Sequence, residues 1–237
     1  MPSDAETFPA TCWPDGIPGQ TRVGVVVGME SEAALLPPGL LVGIAGADPV
    51  AAEYQARRLL DQGAQALLSF GIAGGLDPTL ASGDLIVATG VIEGLDHFPA
   101  NQVWMCRLLN ALPEARRGPV FSANSVIAGH HSKRGLFASV GARAVDMESG
   151  AVARVAAGAG CPFAVLRAIA DPAGFSLPSA AAAGLGPDGK PRPLAVLGRL
   201  ALRPWQLPGL IRLGLASRSA HHALAAALAQ LGPGFAL

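Results

Sequence analysis

The sequence predicts an α/β layer fold with a largely parallel central sheet in one large domain. Three observations carry that expectation. Short β-branched runs alternate with segments of helical periodicity through most of the chain. The 237 residues are 51% hydrophobic and 14% charged, which supplies a substantial core and is too apolar for a disordered chain. Acidic residues recur at or just past the ends of apolar runs, where α/β sheets present their ligand-contacting groups.

Taken in order, residues 1–20 contain Asp4, Glu6, Pro9, Pro14 and Pro18 and are expected to form an irregular lead-in, since a secretory signal needs a basic start and an unbroken apolar stretch. Residues 22–29, RVGVVVGM, have the length and composition of a buried strand. Residues 40–45 read as a second strand. From Asp48 to Gly63 the pattern is helical, with Asp48 as N-cap and Pro49 at the first helical position. Residues 66–72, ALLSFGI, give a third strand running into Gly74 and Gly75. Further strands are predicted at 84–91, 120–126, 144–147 and 163–169, and helices near 101–112, 131–140 and 148–159.

The charge balance is even, 17 Lys+Arg against 17 Asp+Glu, which argues against a broad basic face for nucleic acid. Cys12, Cys106 and Cys161 are too few and too far apart for a disulfide framework or a metal site, so a reducing cytoplasm is expected. No run reaches the roughly 18 apolar residues of a spanning helix, which predicts a soluble or peripheral protein. The charge distribution nevertheless changes near the end. Asp188 is the last acidic residue, and Lys190, Arg192, Arg199, Arg203, Arg212 and Arg218 follow it, interleaved with leucines, Ile211 and Trp205. Such a basic amphipathic segment either lies on an anionic membrane surface or packs as a helical pair on the sheet or a partner, with its arginines toward solvent. The expected organisation is therefore a lead-in over 1–20, a catalytic domain over 21–188 and a basic helical extension over 189–237.

Three acidic clusters fall at predicted strand ends: Glu30 and Glu32 after Gly28, Asp146 and Glu148 around Met147, and Asp171 after LRAIA. Singly, each carboxylate is a good helix cap or first-turn acid. In combination, GMESE at 28–32, GIAGGLDPTLASGDLIVA at 71–88, AVDMESGAVA at 144–153 and LRAIADPA at 166–173 resemble the nucleoside phosphorylase and nucleosidase superfamily, which includes methylthioadenosine/S-adenosylhomocysteine nucleosidase. The resemblance spans residues 22 to 175 or so and implies a single three-layer α/β/α domain with a twisted mixed sheet, working without cofactor or metal as a homodimer or higher homo-oligomer.

Carried over by position, the resemblance implies that Glu32 activates the attacking water and that Asp171 protonates the departing purine. Glu148 would hold the ribose hydroxyls, with Met147 packed against the sugar and Ala73 and Gly74 beside it. Val126 and Ile127 match the base-binding segment, and Arg167 an arginine on the strand leading to the acid. The chemistry needs such groups: an adenine anion leaves poorly, so protonation must accompany C–N cleavage while a second carboxylate activates water. Apolar neighbours such as Ile169 and Phe175 are expected to raise the Asp171 pKa.

There are departures. Ile72 replaces a serine found in many members, Ser69 stands where phosphorolytic relatives have an arginine, and Ala170 replaces a serine before the acid, leaving the orientation of Asp171 open. Hydrolysis is thus expected over phosphorolysis, with inorganic phosphate retained as an alternative co-substrate if Arg22, His130, His131 or Lys133 supplies charge; His130 and His131 otherwise read as a solvated helix start. The DPAGFSLP segment and LALRPWQLPGLIRL at 200–213 are similar to the hopanoid-associated phosphorylase branch. That resemblance implies removal of adenine from adenosylhopane, giving ribosylhopane or phosphoribosylhopane, by an enzyme peripheral to the inner membrane face. The alternatives are a 5′-methylthioadenosine/S-adenosylhomocysteine nucleosidase of purine salvage and a non-catalytic nucleoside- or lipid-binding relative.

Overall fold

The computed structural model describes residues 21–178 and 202–236. The lead-in over 1–20, the boundary at Asp188 and most of the basic segment before Leu202 lie outside the described residues. The elements run β1 (Val23–Val27), α1 (Glu30–Ala33), β2 (Leu41–Ile44), α2 (Pro49–Asp61), β3 (Ala66–Gly75), β4 (Leu85–Glu93), β5 (Asp96–Pro99), α3 (Gln102–Ala111), β6 (Arg116–Ser122), α4 (His130–Val140), β7 (Ala144–Asp146), α5 (Ser149–Ala159) and β8 (Phe163–Asp171). A 3-10 turn (Pro204–Gln206) then leads into α6 (Leu207–Leu231).

The strands form one mixed sheet in the order β2-β1-β3-β7-β6-β4-β5, with β8 bridging β3 and β4. The parallel expectation holds for β1 with β2 and β3, for β3 with β8, and for β6 with β4 and β7. It fails where β7 runs antiparallel to β3, and where β4 runs antiparallel to β5 and β8. Side-chain alternation divides the core. Val23, Val25 and Val27 face a layer containing α3 and the second half of α6, while Val26 faces α2 and α5 on the other side. Burial on both faces explains why β1, and β8 apart from Arg167 and Asp171, read as apolar runs.

Local signals placed the helices well. Asp48 Oδ1 accepts the Val50 N–H at 2.8 Å to open α2, and Asn101 Oδ1 accepts the Trp104 N–H at 2.9 Å to open α3. One expectation needs correction, and one strand was not expected. The strand predicted at 120–126 is β6 at Arg116–Ser122, because the β-branched pair in SVI continues into a loop rather than the ladder; Val126 and Ile127 therefore sit between β6 and α4. β5 has the polar sequence DHFP and is held by antiparallel pairing with β4, so no apolar run announced it. Of the expected C-terminal helices, the described residues contain one of 25 residues, α6, and the segment before Leu202 lies outside them. Its Ala220, Leu224, Ala227, Leu228 and Leu231 join the core, and Trp104 Nε1 donates to the Phe235 carbonyl at 2.8 Å.

Candidate active site

The ends of β1, β3 and β8 and the turn after β7 surround a cavity of about 180 Å³. Glu32, Ala73, Gly74, Val126, Ile127, Met147, Glu148 and Asp171 all border it, together with Ile72, Ala170 and Leu177. Of the residues singled out in the sequence, Arg167 alone stands behind the wall.

Glu32 is the third residue of the four-residue α1, buried at 1% exposure. Its Oε2 accepts the N–H groups of Gly28 (2.8 Å) and Met29 (2.9 Å), and its Oε1 accepts that of Ile72 (2.8 Å). Burial raises its pKa above the usual carboxylate value, against those bonds and the Arg167 charge. Ile72 thus supplies its N–H to the site whatever its side chain. Gly28 and Gly71 make room: a Cβ on Gly28 would stand 2.7 Å from Glu148 Oε1, and one on Gly71 would stand 2.6 Å from Glu32 Oε1.

Behind the cavity, Arg167 on β8 is fully buried among acids. Its Nε lies 2.7 Å from Asp146 Oδ2, and its Nη2 donates to Ser69 Oγ at 2.7 Å and to Glu148 Oε2 at 3.3 Å. Burial works against the guanidinium charge, and Asp146, Glu148 and Glu32 outweigh it. Glu148 is pushed up to about 7, by burial first and then by the Asp146 and Glu32 charges, with Arg167 opposing. Asp146 Oδ1 also accepts the Ser149 N–H (3.1 Å) and Oγ–H (2.7 Å), fixing the start of α5. Ser69, read from sequence as a missing phosphate ligand, is therefore an internal partner of Arg167.

Asp171 ends β8 directly across the ladder from Gly74, where the β3–β8 register shifts by one residue. Its carboxylate pairs with the Nζ of Lys133, whose side chain is wholly buried. Burial raises the Asp171 pKa and the Lys133 charge opposes it. The sequence offered Lys133 only as one possible charge for phosphate, and the structure gives its Nζ to Asp171; its one signal is that no acidic residue lies within four positions of it. The other candidate cations lie elsewhere too. Arg22 precedes β1 at the far end, bonded through its N–H to Gln65 Oε1. His130 is half-buried against Ser176 Oγ, so only His131 fits the solvated helix start. Among the described residues no lysine, arginine or histidine borders the cavity.

Three carboxylates around one cavity, those of Glu32, Glu148 and Asp171, can supply general acid, general base and hydrogen-bond acceptor groups to a bound molecule. Comparison with known proteins finds one family model and several solved structures of similar fold. The family model of the phosphorylase superfamily matches residues 25–183. Among solved structures, the S-adenosylhomocysteine nucleosidase of Streptococcus pyogenes is similar at 19% identity, covering 92% of this chain and 100% of its own, with a TM-score of 0.66. The 5′-methylthioadenosine/S-adenosylhomocysteine nucleosidase of Neisseria meningitidis, bound to methylthio-immucillin-A, gives 16% identity, 91% and 100% coverage, and a TM-score of 0.69. Futalosine hydrolase of Helicobacter pylori gives 21% identity over 63% of this chain and 87% of its own, with a TM-score of 0.57. No curated protein matches the sequence.

Proposed function

The chain belongs to the phosphorylase superfamily, and we propose from that premise that it hydrolyses the N-glycosidic bond of an adenine nucleoside. The observation that carries this reading is the meeting of Glu32, Glu148 and Asp171 around one cavity, each delivered by a different strand end. In the proposed reaction Asp171 gives a proton to the purine as the C–N bond breaks and the ribose gains oxocarbenium character. Glu32 takes a proton from the attacking water, and Glu148 accepts hydrogen bonds from the ribose hydroxyls. Met147, Ala73 and Gly74 pack about the sugar, Val126 and Ile127 about the base, and Arg167 sets Glu148 from behind. Water is the nucleophile in this reading because the cavity border carries no cation for a phosphate dianion among the described residues.

For the 5′ substituent we propose a lipid, with adenosylhopane as substrate and ribosylhopane as product. What supports it is the first half of α6, which leaves Leu207, Ile211 and Leu215 46%, 56% and 64% exposed beside Arg212 and Arg218. No described helix is long and apolar enough to cross a membrane, so contact would be peripheral. Cytoplasmic location and a homo-oligomeric state belong to the same reading. A second reading, a 5′-methylthioadenosine/S-adenosylhomocysteine nucleosidase, draws on the solved structures that share the fold. Chromatographic assay of adenine from detergent-solubilised adenosylhopane and from methylthioadenosine, each with and without phosphate, separates the two. Release from adenosylhopane alone supports the lipid substrate. Preference for methylthioadenosine supports the second reading, a phosphorylated sugar product overturns hydrolysis, and no release from either leaves a binding protein.

A further inference from the structure

We propose that Lys133 is the positioning residue of the acid: it holds Asp171 against the cavity and reloads it with the proton that the departing base removes. The inference rests on the reading of the cavity as a site of N-glycosidic cleavage. Lys133 lies in the first turn of α4, on a different element from any group in the sequence resemblance. Its Nζ pairs with Asp171 Oδ2 and also reaches the main-chain carbonyls of Asp171 (3.2 Å), Pro172 (3.3 Å) and Phe175 (3.2 Å). Three N–H groups thus meet four acceptors, all on one short segment. An ammonium so deeply buried costs several kcal/mol unless it is paired and hydrogen-bonded, and here every partner belongs to the acid or to the loop that follows it.

The same loop is fastened to the start of α4 by the Leu177 N–H to the Ala128 carbonyl (2.9 Å) and the His130 N–H to Ser176 Oγ (3.1 Å). Ala170, immediately before the acid, has no polar side chain to orient it, so the buried lysine performs that task from behind the cavity wall. Gly74 lies beside the acid as well: a Cβ there would press on Val145 Cγ1 at 3.2 Å and reach contact with both Asp171 carboxylate oxygens at 3.4 Å.

The proton balance is as follows. One N–H bond of Lys133 breaks and an O–H bond forms on Asp171, leaving both groups neutral. That proton passes to a purine nitrogen as the C–N bond breaks with its electron pair on the base, while water adds to the sugar carbon and gives its proton to Glu32. Asp171 is left as carboxylate and Lys133 as amine; Glu32 returns its proton to solvent, and solvent reprotonates the lysine after product leaves. The other ionisable groups around the pair are Glu32 from α1, Asp146 and Glu148 beside β7, Arg167 on β8, His130 on Ser176, and Arg212 of α6, which stacks over Phe175 at 5.1 Å.

The test uses the full chain and whichever of methylthioadenosine or solubilised adenosylhopane the wild type turns over. Lys133→Met is expected to lower kcat by about 10²-fold, with KM within about threefold, and to change the pH profile of kcat. If Lys133 acts through Asp171, adding Lys133→Met to Asp171→Asn lowers kcat little further, whereas a merely structural lysine would multiply the two losses. Lys133→Arg keeps the charge but cannot surrender a proton, and is expected to fold, keep KM and lose at least about tenfold in kcat; it decides the matter if the methionine variant does not fold. Wild-type kcat in either lysine variant, or multiplicative losses in folded variants, overturns the inference alone. Absence of adenine release by the wild type overturns the functional reading and this inference with it.

Discussion

The Ile72 N–H donates to Glu32 Oε1 at 2.8 Å, tying the carboxylate that follows β1 to the middle of β3. With Gly28 and Met29 on Oε2, the side chain is held by main-chain donors alone. A backbone cradle does not depend on side-chain identity at position 72, which is how an isoleucine there leaves the hold on Glu32 intact.

Glu32→Gln is predicted to fail for two separable reasons. An amide must turn its NH₂ toward either the Ile72 N–H or the Gly28 and Met29 pair, leaving a donor facing a donor in a buried place, at a cost of about 1–3 kcal/mol. It also removes the proposed base. Adenine release should fall by about 10²-fold or more with a lowered denaturation midpoint, and a variant with wild-type turnover would remove Glu32 from the chemistry.

Gly71 faces the same cradle from β3. Its φ is +154°, and a Cβ would lie 2.6 Å from Glu32 Oε1 and 2.8 Å from Arg167 Nη1, both ends of a network that has nowhere to move. Gly71→Ala is therefore expected to cost roughly 1–3 kcal/mol in urea unfolding and to lower turnover more than about tenfold. Unchanged stability would show that the network relaxes freely.

Much of this is legible in the sequence. Strands over 22–29, 66–72 and 163–169 followed from apolar runs and their punctuation, the ladder carrying β3 on to Gly75 and β8 on to Asp171, and the chain order of the motifs picked out the residues that border the cavity. Lys133 was legible only as a charge, because its partner is 38 positions away, at the end of a strand. β5 stayed hidden because its hydrogen bonds to β4, rather than its own composition, make it a strand. The antiparallel course of β7 was equally silent, since three residues, AVD, carry no directional signal.

Glu148 gives the stability curve a definite slope. Its folded pKa, about 7, exceeds the ordinary 4.5, so between those values the folded state binds more protons than the unfolded state. Stability is full below about pH 4.5 as far as this group is concerned, and is lost as pH rises toward 7, by roughly 3 kcal/mol. Glu32 and Asp171 are shifted the same way and add to the slope. Urea denaturation across that range should show Glu148→Gln flattening the curve; an unaltered slope would place the shift elsewhere.

The last expectation concerns α6, whose two halves differ in kind. Leu224, Leu228 and Leu231 are packed on the sheet, while Leu207, Ile211 and Leu215, four apart on one face, are exposed beside Arg212 and Arg218. Burying one such side chain is worth about 1.5–3 kcal/mol, so replacing all three with serine should weaken binding to phosphatidylglycerol vesicles at least tenfold or so. Because none of the three borders the cavity, adenine release from a water-soluble nucleoside should stay at the wild-type rate. Electrostatic attraction through the arginines predicts that added salt weakens wild-type binding to anionic vesicles. Equal cosedimentation of the triple variant would exclude this face from lipid contact. A fall in oligomer mass by sedimentation, with vesicle binding intact, would instead make it a contact between copies of the chain.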